Sequence, residues 1–586
     1  MRIAITGEGI VTSIGCNKQE VLQSLRQKHS GIGVVQHLPT LHKELPVGEV
    51  HMSNNELKQA LKIPSDEEIS RTSLMAIHAI REALSDANLT DSYLCGKRVV
   101  LVSGTTVGGM DVTERHFLEV NIKDNSDFLR GHDCGANTGS IARHITCISD
   151  TVTISTACSS AENAVIVGSE MLLNDEADII IAGGSEALSL FHLNGFNSLM
   201  ILDHEPCRPF DATRSGLNLG EGAAYVVLER ETDTAFRGQQ LHAYIRGYGN
   251  ACDAYHQTAS SPNGEGAYLA MELALKNAGM DVQDIDYVNA HGTATPNNDE
   301  TELAALRRIF GDHIPPVSST KGYTGHTTSA AGSIELVICL LAMKHHFIPS
   351  NINWHEAMED FTPSMGEKNV NVGTAMCNSF GFGGNDSSLI VSLYPGEEKY
   401  VETEISDDDI VVMASAEVSS DDDLKLIRDY KSPMEARRMG RLLKASLITS
   451  FKVLRECGIE TPDAIVTGTA FGCVENSEKI LLSLCEEGES SVKPTLFMQS
   501  THNTISSNIA MQTHCHGYNI TYSQGSQSLE LAMSDARRLI KSGKYRTVLV
   551  GVHDESTELF RELCVNARLP EPKSIYSKSL LLTCRK

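Results

Sequence analysis

Residues 153–186 read TISTACSSAENAVIVGSEMLLNDEADIIIAGGSE, a β-branched strand, a small-residue helix and a second apolar strand. Strands that alternate with helices in this way predict an α/β fold in which helices cover a sheet. The same alternation of strand and helix patterns begins at RIAITG (2–7), includes AAYVVLE (223–229) and extends to DSSLIVSLY (386–394). The quoted stretch therefore decides the fold class, and the rest of the chain extends it.

A second copy of this stretch lies near the end of the chain, at residues 519–555. It reads NITYSQGSQSLELAMSDARRLIKSGKYRTVLVGVHDE and aligns without a gap, which puts Ser526 opposite Cys158. Self-similarity over a whole strand–helix–strand unit indicates a duplicated half-fold.

The repeat divides the chain into three half-folds and a linker. Residues 1–240 are predicted to form a first half, 241–395 a second half, and 409–586 a third half that copies the first. The segment GEEKYVETEISDD (396–408) is polar and acidic, which is typical of a linker.

The net charge limits the partners that the protein can bind. The 586 residues carry a formal charge of −26, which argues against a nucleic-acid binder or an anionic-membrane binder. Residues 1–400 hold 27 basic and 49 acidic side chains, whereas residues 401–586 hold 22 and 26. An acidic partner would therefore need a local basic patch on the first two halves.

The cysteine pattern and the N-terminus indicate a cytoplasmic protein. Fifteen cysteines occur without a CxxC pair, as expected of a reduced protein. Residues 1–15 lack the features of a signal peptide, and no run approaches the ~20 apolar residues of a membrane span. Adjacent side chains at 514–516 (HCH) rarely converge on one ion, so no metal site is predicted.

Cys158 is the candidate nucleophile. It lies in STACSSA (155–161), where a strand runs into a helix whose first turn is made of small residues. The positive end of the helix dipole is expected to lower the thiol pKa below its usual value of ~8.5 and so favour the nucleophilic thiolate. A buried structural cysteine is the alternative.

Two histidines and a glycine-rich segment accompany this cysteine. His291 lies in VNAHGTATPNNDETE (288–302), and His326 lies in STKGYTGHTTSAAGSIE (319–335). A lone histidine is more often a satisfied polar residue, but two at strand-to-turn junctions suit stabilisation of a developing oxyanion. The segment NSFGFGGNDSS (378–388) has neither a GK[ST] motif nor a nearby basic residue, so a phosphate loop is disfavoured.

Together with PFDATRSGLNLGEGAAYVVLE (209–229), these segments resemble the β-ketoacyl-acyl-carrier-protein synthases, the elongating condensing enzymes of fatty acid and polyketide synthesis. The resemblance covers residues 1–395 and implies a thiolase-like fold of two similar halves, layered α-β-α-β-α. Residues 409–586 resemble a third thiolase-like half, similar to the chain-length-factor partners that keep the fold and lose the nucleophile.

The resemblance implies a role for each polar residue of the centre. Cys158 would take the acyl chain from a carrier-protein thioester. His291 and His326 would donate hydrogen bonds to the thioester oxygen of the malonyl unit as carbon dioxide leaves. Lys321 would lie behind the histidines together with Glu335 and hold their geometry and the local charge.

Further roles concern the oxyanion hole and the substrate arm. The resemblance implies that the backbone N–H groups of Cys158 and Phe382 form the oxyanion hole, and that Phe382 gates the acyl pocket. Thr293 and Thr295 would bond the phosphopantetheine arm of an acyl carrier protein. That arm carries the substrate, and no metal or redox cofactor is expected. Residues 110–112 are expected to face the acyl pocket.

The chain departs from the family's pattern at two positions. Asn298 stands where the family commonly has Gly, and Ser215 where it commonly has Asp. Neither departure touches the proposed chemistry, although Asn298 could reshape the mouth of the pantetheine tunnel. Chain-initiating synthases have Asn at the position of His326, and thiolases use a second cysteine as base, so the elongating class fits best.

Three arginines are candidates for the basic patch that docks an acidic carrier protein: Arg71, Arg208 and Arg214. For each, an ordinary surface or structural charge is the alternative, and this alternative is preferred for Arg214.

The implied activity is 3-oxoacyl-acyl-carrier-protein synthesis by decarboxylative Claisen condensation of an acyl thioester with malonyl-acyl-carrier protein. The product would belong to fatty acid or polyketide/polyene-type biosynthesis. The alternative is a non-enzymatic pseudo-synthase that scaffolds another condensing subunit. A decarboxylase that makes starter units usually lacks the cysteine. Retention of Cys158, His291 and His326 favours the synthase.

The third half raises a hypothesis about assembly. The family usually dimerises through its N-terminal halves, so the protein would form either a homodimer or an intramolecular pseudo-dimer. In the second case, NITYS (519–523) would pair with TVTIST (151–156), cover the exposed sheet edge and complete the wall of the acyl pocket. A vestigial or independently associating module is the alternative.

Overall fold

A 15-stranded sheet runs through the computed structural model, which describes residues 1–118, 126–235, 238–397 and 405–585. Much of the predicted acidic linker (396–408) lies outside the described residues. Within them, no helix is both long enough and apolar enough to cross a membrane.

The helices and strands follow the three half-folds. The first half contains β1 (Ile3–Thr12), α1 (Lys18–Gln27), β2 (Ile32–Gly33), β3 (Val47–Gly48), α2 (Asn54–Leu61), α3 (Arg71–Asp86), α4 (Asp91–Leu94), β4 (Val99–Gly104), α5 (Met110–Phe117), α6 (Cys134–Arg143), β5 (Asp150–Ile154), α7 (Ser160–Leu173), β6 (Ile179–Glu186), α8 (Leu190–Ser198), β7 (Gly222–Arg230) and α9 (Glu231–Ala235). The second half contains β8 (Ala243–Cys252), α10 (Glu265–Ala278), β9 (Tyr287–Asn289), α11 (Pro296–Phe310), β10 (Val317–Ser318), α12 (Lys321–Thr324), α13 (Ala331–Lys344), β11 (Phe347–Ile348), β12 (Glu367–Lys368), β13 (Thr374–Gly381) and β14 (Asn385–Ser392). The third half contains β15 (Ile410–Val418), α14 (Pro433–Arg437), α15 (Arg441–Cys457), β16 (Ala464–Gly468), α16 (Val474–Glu486), α17 (Pro494–Met498), α18 (Thr504–Thr513), β17 (Asn519–Tyr522), α19 (Ser528–Lys541), β18 (Thr547–Glu555), α20 (Glu558–Asn566) and β19 (Ile575–Cys584).

Helices α7 and α13 form the middle layer of the first two halves. Each has 13 of its 14 residues buried, because a sheet or another helix covers every side. Helix α3 packs on the outer face of β1 and β7, and α10 packs on β8 and β14. The two halves join where β1 pairs with β8, at Ile3 opposite Ile245. The predicted thiolase-like arrangement of layers is confirmed.

The third half continues the sheet in the reverse strand order, as if it were related to the first half by a two-fold rotation. The strand order β1-β7-β6-β4-β5 is followed by β17-β16-β18-β19-β15, so each strand after β5 is the counterpart of one before it. Strands β5 and β17 pair in the antiparallel direction, with Tyr522 opposite Ile154. The backbone N–H of Ser155 donates to the Thr521 carbonyl at 2.9 Å, and that of Ser523 donates to the Thr153 carbonyl at 3.0 Å. The strand pair predicted from the repeat is present.

Polar and apolar contacts join the third half to the first. Arg538 Nη1 donates to Glu176 Oε2 at 2.6 Å, and the arginine side chain is largely buried. One apolar cluster contains Ile154 of β5 together with Ile520 and Tyr522 of β17. Because these side chains share one core, the third half covers the sheet edge that β5 would otherwise expose.

Candidate active site

A sharp turn between β5 and α7 presents Cys158. Ala157 adopts φ = 53°, a left-handed conformation that costs energy in residues with a side chain and often marks a functional turn. The turn is a single 3-10 turn over Ala157–Ser159, after which α7 begins. Cys158 is 5% exposed, so its sulfur lies inside the protein at the start of the helix.

The second half brings both predicted histidines to this sulfur. His326 Nε2 lies 3.1 Å from Cys158 Sγ, although the residues are 168 positions apart in sequence. The rings of His291 and His326 lie 5.3 Å apart, centroid to centroid, and are nearly perpendicular. His291 follows β9, and the backbone N–H of His326 donates to the Asn218 carbonyl at 2.7 Å. The three side chains predicted from separate motifs therefore meet.

Lys321 orients His291 from behind. Its Nζ lies 3.4 Å from His291 Nδ1 and forms a buried ion pair with Glu335 of α13. An ammonium group only donates hydrogen bonds, so Nδ1 must accept, and the neutral ring carries its proton on Nε2. The lysine thus selects the tautomer in which His291 Nε2 is a hydrogen-bond donor.

The pKa values of both histidines are held well below the usual range. Burial is the largest cause, and the positive charge of Lys321 lowers both further. His291 and His326 are therefore neutral near pH 7. Burial raises the pKa of Glu335 to about 7, against the opposing effect of Lys321.

The expectation of a lowered thiol pKa at Cys158 is wrong. Burial raises the pKa of Cys158 to about 11, and the Phe382 N–H and the charge of Lys321 offset only part of that rise. The helix dipole is a modest effect that decays within one turn, whereas desolvation of a fully buried thiolate is large. The resting group is a thiol whose proton must leave as it attacks.

Alkylation of Cys158 by iodoacetamide is therefore expected to accelerate from pH 7 to at least pH 9.5. Below the pKa, each pH unit changes the thiolate fraction about tenfold. Peptide mass spectrometry measures the rate, and the exposed Cys95 in the same sample serves as the internal reference. A rate that levels off below pH 9 would contradict the burial argument.

Phe382 lies in a glycine-rich loop beside the sulfur. Gly383 and Gly384 adopt φ of 85° and 73°, values that favour glycine and that turn the chain sharply between β13 and β14. The backbone N–H of Phe382 hydrogen-bonds Cys158 and lowers its pKa. The predicted oxyanion and gate residue is therefore in contact with the predicted nucleophile.

A cavity of about 640 Å³ connects this centre to the surface. Its lining includes Thr293 and Thr295, whose hydroxyl groups lie 2.9 Å apart, as well as both positions that depart from the family pattern, Ser215 and Asn298. Pro494 and Met498 of the third half also line it, and Cys158, His291, His326 and Phe382 form its inner end. The cavity thus joins the predicted nucleophile, both histidines, the gate residue and the two threonines, whereas Met110 of the predicted acyl-pocket segment (110–112) lines a different cavity.

The sequence interpretation missed Glu302. This buried carboxylate accepts the backbone N–H of His291 at 2.8 Å and that of Gly292 at 2.7 Å. Burial raises the pKa of Glu302 to about 7, against these two hydrogen bonds. The sequence ETE (300–302) shows acidic residues on the helix that follows the histidine turn. It does not show that the Glu302 side chain points toward the backbone of that turn.

The prediction of Arg71 as a docking residue is wrong. Arg71 is 7% exposed, and its guanidinium forms a buried ion pair with Glu221 at 2.6 Å. Arg214 also has a buried side chain, close to Asp299, as preferred for this residue. Arg208 is partly exposed and pairs with Asp203 at 3.2 Å. The sequence shows that these residues are positively charged, but it does not show which of them form ion pairs with buried carboxylates.

The third half lacks the catalytic set. Ser526 occupies the turn that corresponds to Cys158, in a 3-10 turn over Gly525–Gln527, and it is exposed to solvent. Residues 409–586 contain no counterpart of the two histidine segments. This half therefore contributes surface and packing rather than a second centre.

The fold and this centre define a thiolase-like condensing enzyme. Residues 1–234 match the model described as "Beta-ketoacyl synthase, N-terminal domain", and residues 242–355 match "Beta-ketoacyl synthase, C-terminal domain". A second N-terminal domain model matches residues 416–570, as the repeat predicted. The chain belongs to the beta-ketoacyl synthase family.

Individual relatives agree with this membership. The chain is 32% identical over 412 residues to "3-oxoacyl-[acyl-carrier-protein] synthase 2" of Coxiella burnetii, covering 67% of this chain and 98% of that protein. The structure titled "The ishigamide ketosynthase/chain length factor" is 32% identical, with a TM-score of 0.63, and covers 67% of this chain and 99% of the other.

A further structure extends the similarity of fold to the third half. "PfaC Keto synthase-Chain length factor" covers 100% of this chain and 78% of the other, with a TM-score of 0.79 and 16% identity. At this identity the likeness concerns the fold alone, and it includes the arrangement of all three halves.

Proposed function

We propose that the protein is an elongating 3-oxoacyl-acyl-carrier-protein synthase that condenses an acyl thioester with malonyl-acyl-carrier protein. The observation that carries this proposal is the contact of 3.1 Å between Cys158 Sγ and His326 Nε2, with His291 and Lys321 behind it. A non-enzymatic scaffold would have no reason to keep four buried polar groups in this geometry.

In the first half-reaction, the Cys158 sulfur attacks the carbonyl carbon of the acyl thioester. The thiol proton passes to His326 Nε2, the base within reach of the sulfur. The backbone N–H groups of Cys158 and Phe382 stabilise the tetrahedral oxyanion. When the intermediate collapses, the pantetheine thiolate leaves and takes the proton from His326, and the acyl group stays on Cys158.

In the second half-reaction, malonyl thioester loses carbon dioxide. The electron pair of the broken carbon–carbon bond forms an enolate, whose oxygen accepts hydrogen bonds from Nε2–H of His291 and of His326. Because His326 leaves the first half-reaction with its proton on Nδ1, it takes part in this step as its Nε2–H tautomer. Both rings are neutral, so neither gives up a proton easily, and preorganised donors lower this barrier most.

The enolate carbon then attacks the acyl carbonyl on Cys158. A new carbon–carbon bond forms, and the oxyanion occupies the same two backbone N–H groups. The Cys158 thiolate then leaves and takes up a proton from solvent, which is the one proton that the overall reaction consumes. The product is a 3-oxoacyl thioester on the carrier protein. Each step uses groups of the chain and of the substrates, and no metal or redox cofactor is invoked.

The carrier protein delivers both substrates on its phosphopantetheine arm. We assign Thr293 and Thr295 to hydrogen-bond this arm, because their hydroxyl groups line the cavity that leads to Cys158. The name of the Coxiella burnetii relative, which includes an acyl-carrier protein, supports this choice of partner.

The third half acts as a built-in partner in this proposal, which makes the chain an intramolecular pseudo-dimer. A second, narrow cavity of about 50 Å³ lies between Met110 and Phe191 of the first half and Phe471 and His502 of the third. We assign it to the far end of the acyl chain. Pairing of β5 with β17 and the shared core support this assembly.

Intact-mass measurement tests the activity. The protein is incubated with acyl- and malonyl-carrier proteins, and an acyl adduct together with an extended product is expected. The adduct disappears in Cys158→Ala, because the nucleophile is lost. Absence of both the adduct and the product in the unaltered protein would overturn the enzymatic function in favour of the scaffold.

A further inference from the structure

The third half holds the loop that carries Phe382. We call residues 381–385 the gate loop. Asn503, at the start of α18, is fully buried, and its Nδ2 donates to the Phe382 carbonyl at 2.9 Å. The same group donates to Asn385 Oδ1 at 2.7 Å. One side-chain amide of the non-catalytic half therefore bridges the middle and the end of the gate loop.

The gate loop also lies tightly against α18. A Cβ atom placed on Gly383 would lie 2.2 Å from Ser507 Oγ and 3.0 Å from Asn503 Nδ2. Only glycine fits this gap, and its φ of 85° also favours glycine. The close approach brings the loop backbone within reach of the Asn503 amide.

The loop that contains Gln257 also connects the gate loop to α18, and we call this set of contacts the clamp. The backbone N–H of Gly383 donates to the Gln257 carbonyl at 2.7 Å, and Gln257 Nε2 donates to Asn508 Oδ1 of α18 at 3.3 Å. Residues on either side of Gln257, namely His256 and Thr258, line the active-site cavity. Helix α18 thus contacts both loops that border the nucleophile.

The ring of Phe382 is held from the same side. It stacks on Phe196 with 5.7 Å between centroids, and Phe196 meets the edge of Phe497 of the third half at 5.2 Å. Gly195 leaves space for this contact, because a Cβ there would lie 2.2 Å from the Phe497 ring. The third half therefore contacts the backbone of the gate residue directly and supports its ring through Phe196.

We propose that Asn503 is a positioning residue that holds the gate loop closed over Cys158 and keeps the Phe382 N–H aimed at the reacting oxygen. The non-catalytic half thereby controls access to the catalytic centre and completes it. The catalytic part of this inference rests on the proposed function, whereas the control of access does not.

The proposal predicts opposite changes in the rate of Cys158 alkylation and the rate of condensation, whereas a purely structural role would change both in the same direction. Loss of the Asn503 hydrogen bonds favours the open loop, so Cys158 becomes more accessible to a small electrophile. The Phe382 N–H is then less well oriented, so oxyanion stabilisation falls. Alkylation should therefore accelerate while condensation slows.

The test compares Asn503→Ala and Asn503→Asp with Asn476→Ala in the full-length protein. Asn476 is the matched control, because its Nδ2 also donates to a backbone carbonyl, that of Gln499, which belongs to the third half and not to the gate loop. The Asp variant keeps the size of the side chain but, when ionised, cannot donate to the Phe382 carbonyl. The readouts are the rate of Cys158 alkylation by iodoacetamide at pH 8 and the kcat and KM of condensation.

Both Asn503 variants are expected to raise the alkylation rate about three- to tenfold, the range set by one or two lost hydrogen bonds. They lower kcat by a similar factor and leave KM nearly unchanged, while Asn476→Ala changes neither rate. Unchanged alkylation in Asn503→Asp would overturn the proposal, because packing alone would then explain the contact.

Gln257→Ala keeps the proposal testable if the Asn503 variants fail to fold. Gln257 is only partly buried, so its loss is tolerated more easily, and it removes the contact with Asn508. A rise in alkylation of about twofold is expected, and no rise would count against the clamp. Alkylation needs no carrier protein, so its outcome stands even if condensation is never observed.

Discussion

Replacing Lys321 with methionine is expected to lower the condensation rate at least about 100-fold and the free energy of unfolding by about 3–5 kcal/mol. The first effect follows because His291 loses the partner that fixes its proton on Nε2. The second follows because Glu335, with only 3% of its side chain exposed, loses its counter-charge. Steady-state kinetics and denaturant unfolding measure the two effects.

The stability deficit of Lys321→Met should grow between pH 6 and pH 8. Burial already raises the pKa of Glu335 to about 7, and loss of Lys321 raises it further above the value in the unfolded chain. A carboxyl group with a raised pKa in the folded state stabilises the fold at low pH, and this contribution is lost as pH rises. A deficit that shrinks toward pH 8 would contradict the ion-pair argument.

Lys321→Met combined with Glu335→Gln is the matched control. Removing both charges leaves no uncompensated buried ion, so most of the stability should return. The condensation rate should stay low, because His291 Nδ1 still lacks its donor. Recovery of both stability and rate would show that Lys321 serves only to neutralise Glu335.

Truncation of the chain after Glu397 is expected to abolish condensation and to cause aggregation or new dimerisation of the remaining protein. The truncation exposes the backbone of β5 and breaks the core that Ile154 shares with Ile520. It also removes Asn503 and therefore the hydrogen bond that this residue donates to the gate loop. Size-exclusion chromatography and the carrier-protein assay report the outcome, and a stable, active, unchanged fragment would refute the pseudo-dimer.

A protease site inserted between Gly396 and Ser406 provides the control for that experiment. Cleavage there breaks one peptide bond and leaves the contacts between the halves in place. The two pieces should elute together and keep their activity, since the β5–β17 pair and the ion pair of Arg538 with Glu176 persist. Separation of the pieces would mean that the covalent link, rather than the interface, holds the third half.

Local chemistry in the sequence predicted most of the centre. The motifs made Cys158 and the two histidines candidates, and the family resemblance implied that they meet. Periodicity could not show this, because β5 and β9, the strands before Cys158 and His291, are far apart in the sheet order. The wrong predictions concerned Arg71 and the pKa of Cys158. Both depend on burial, which is a property of the surroundings and not of the residue or its neighbours in sequence.

The repeat shows what the sequence predicts and what depends on the tertiary structure. Helices α7 and α19 align without a gap, so the sequence alone determined that they share a fold. Yet 13 of 14 residues are buried in α7 and 6 of 14 in α19. The second half packs α13 on α7, whereas among the described residues α19 packs mainly on β16 and β18 and no helix covers it to the same extent.

The sequence by itself determined the fold class and the three half-folds, since these follow from periodicity and from the repeat, and the family resemblance implied which groups react. Only the tertiary structure decided that the third half joins the sheet edge at β5 and reaches the gate loop through Asn503. Such contacts join residues more than 100 positions apart, and their formation depends on packing and desolvation summed over the whole molecule.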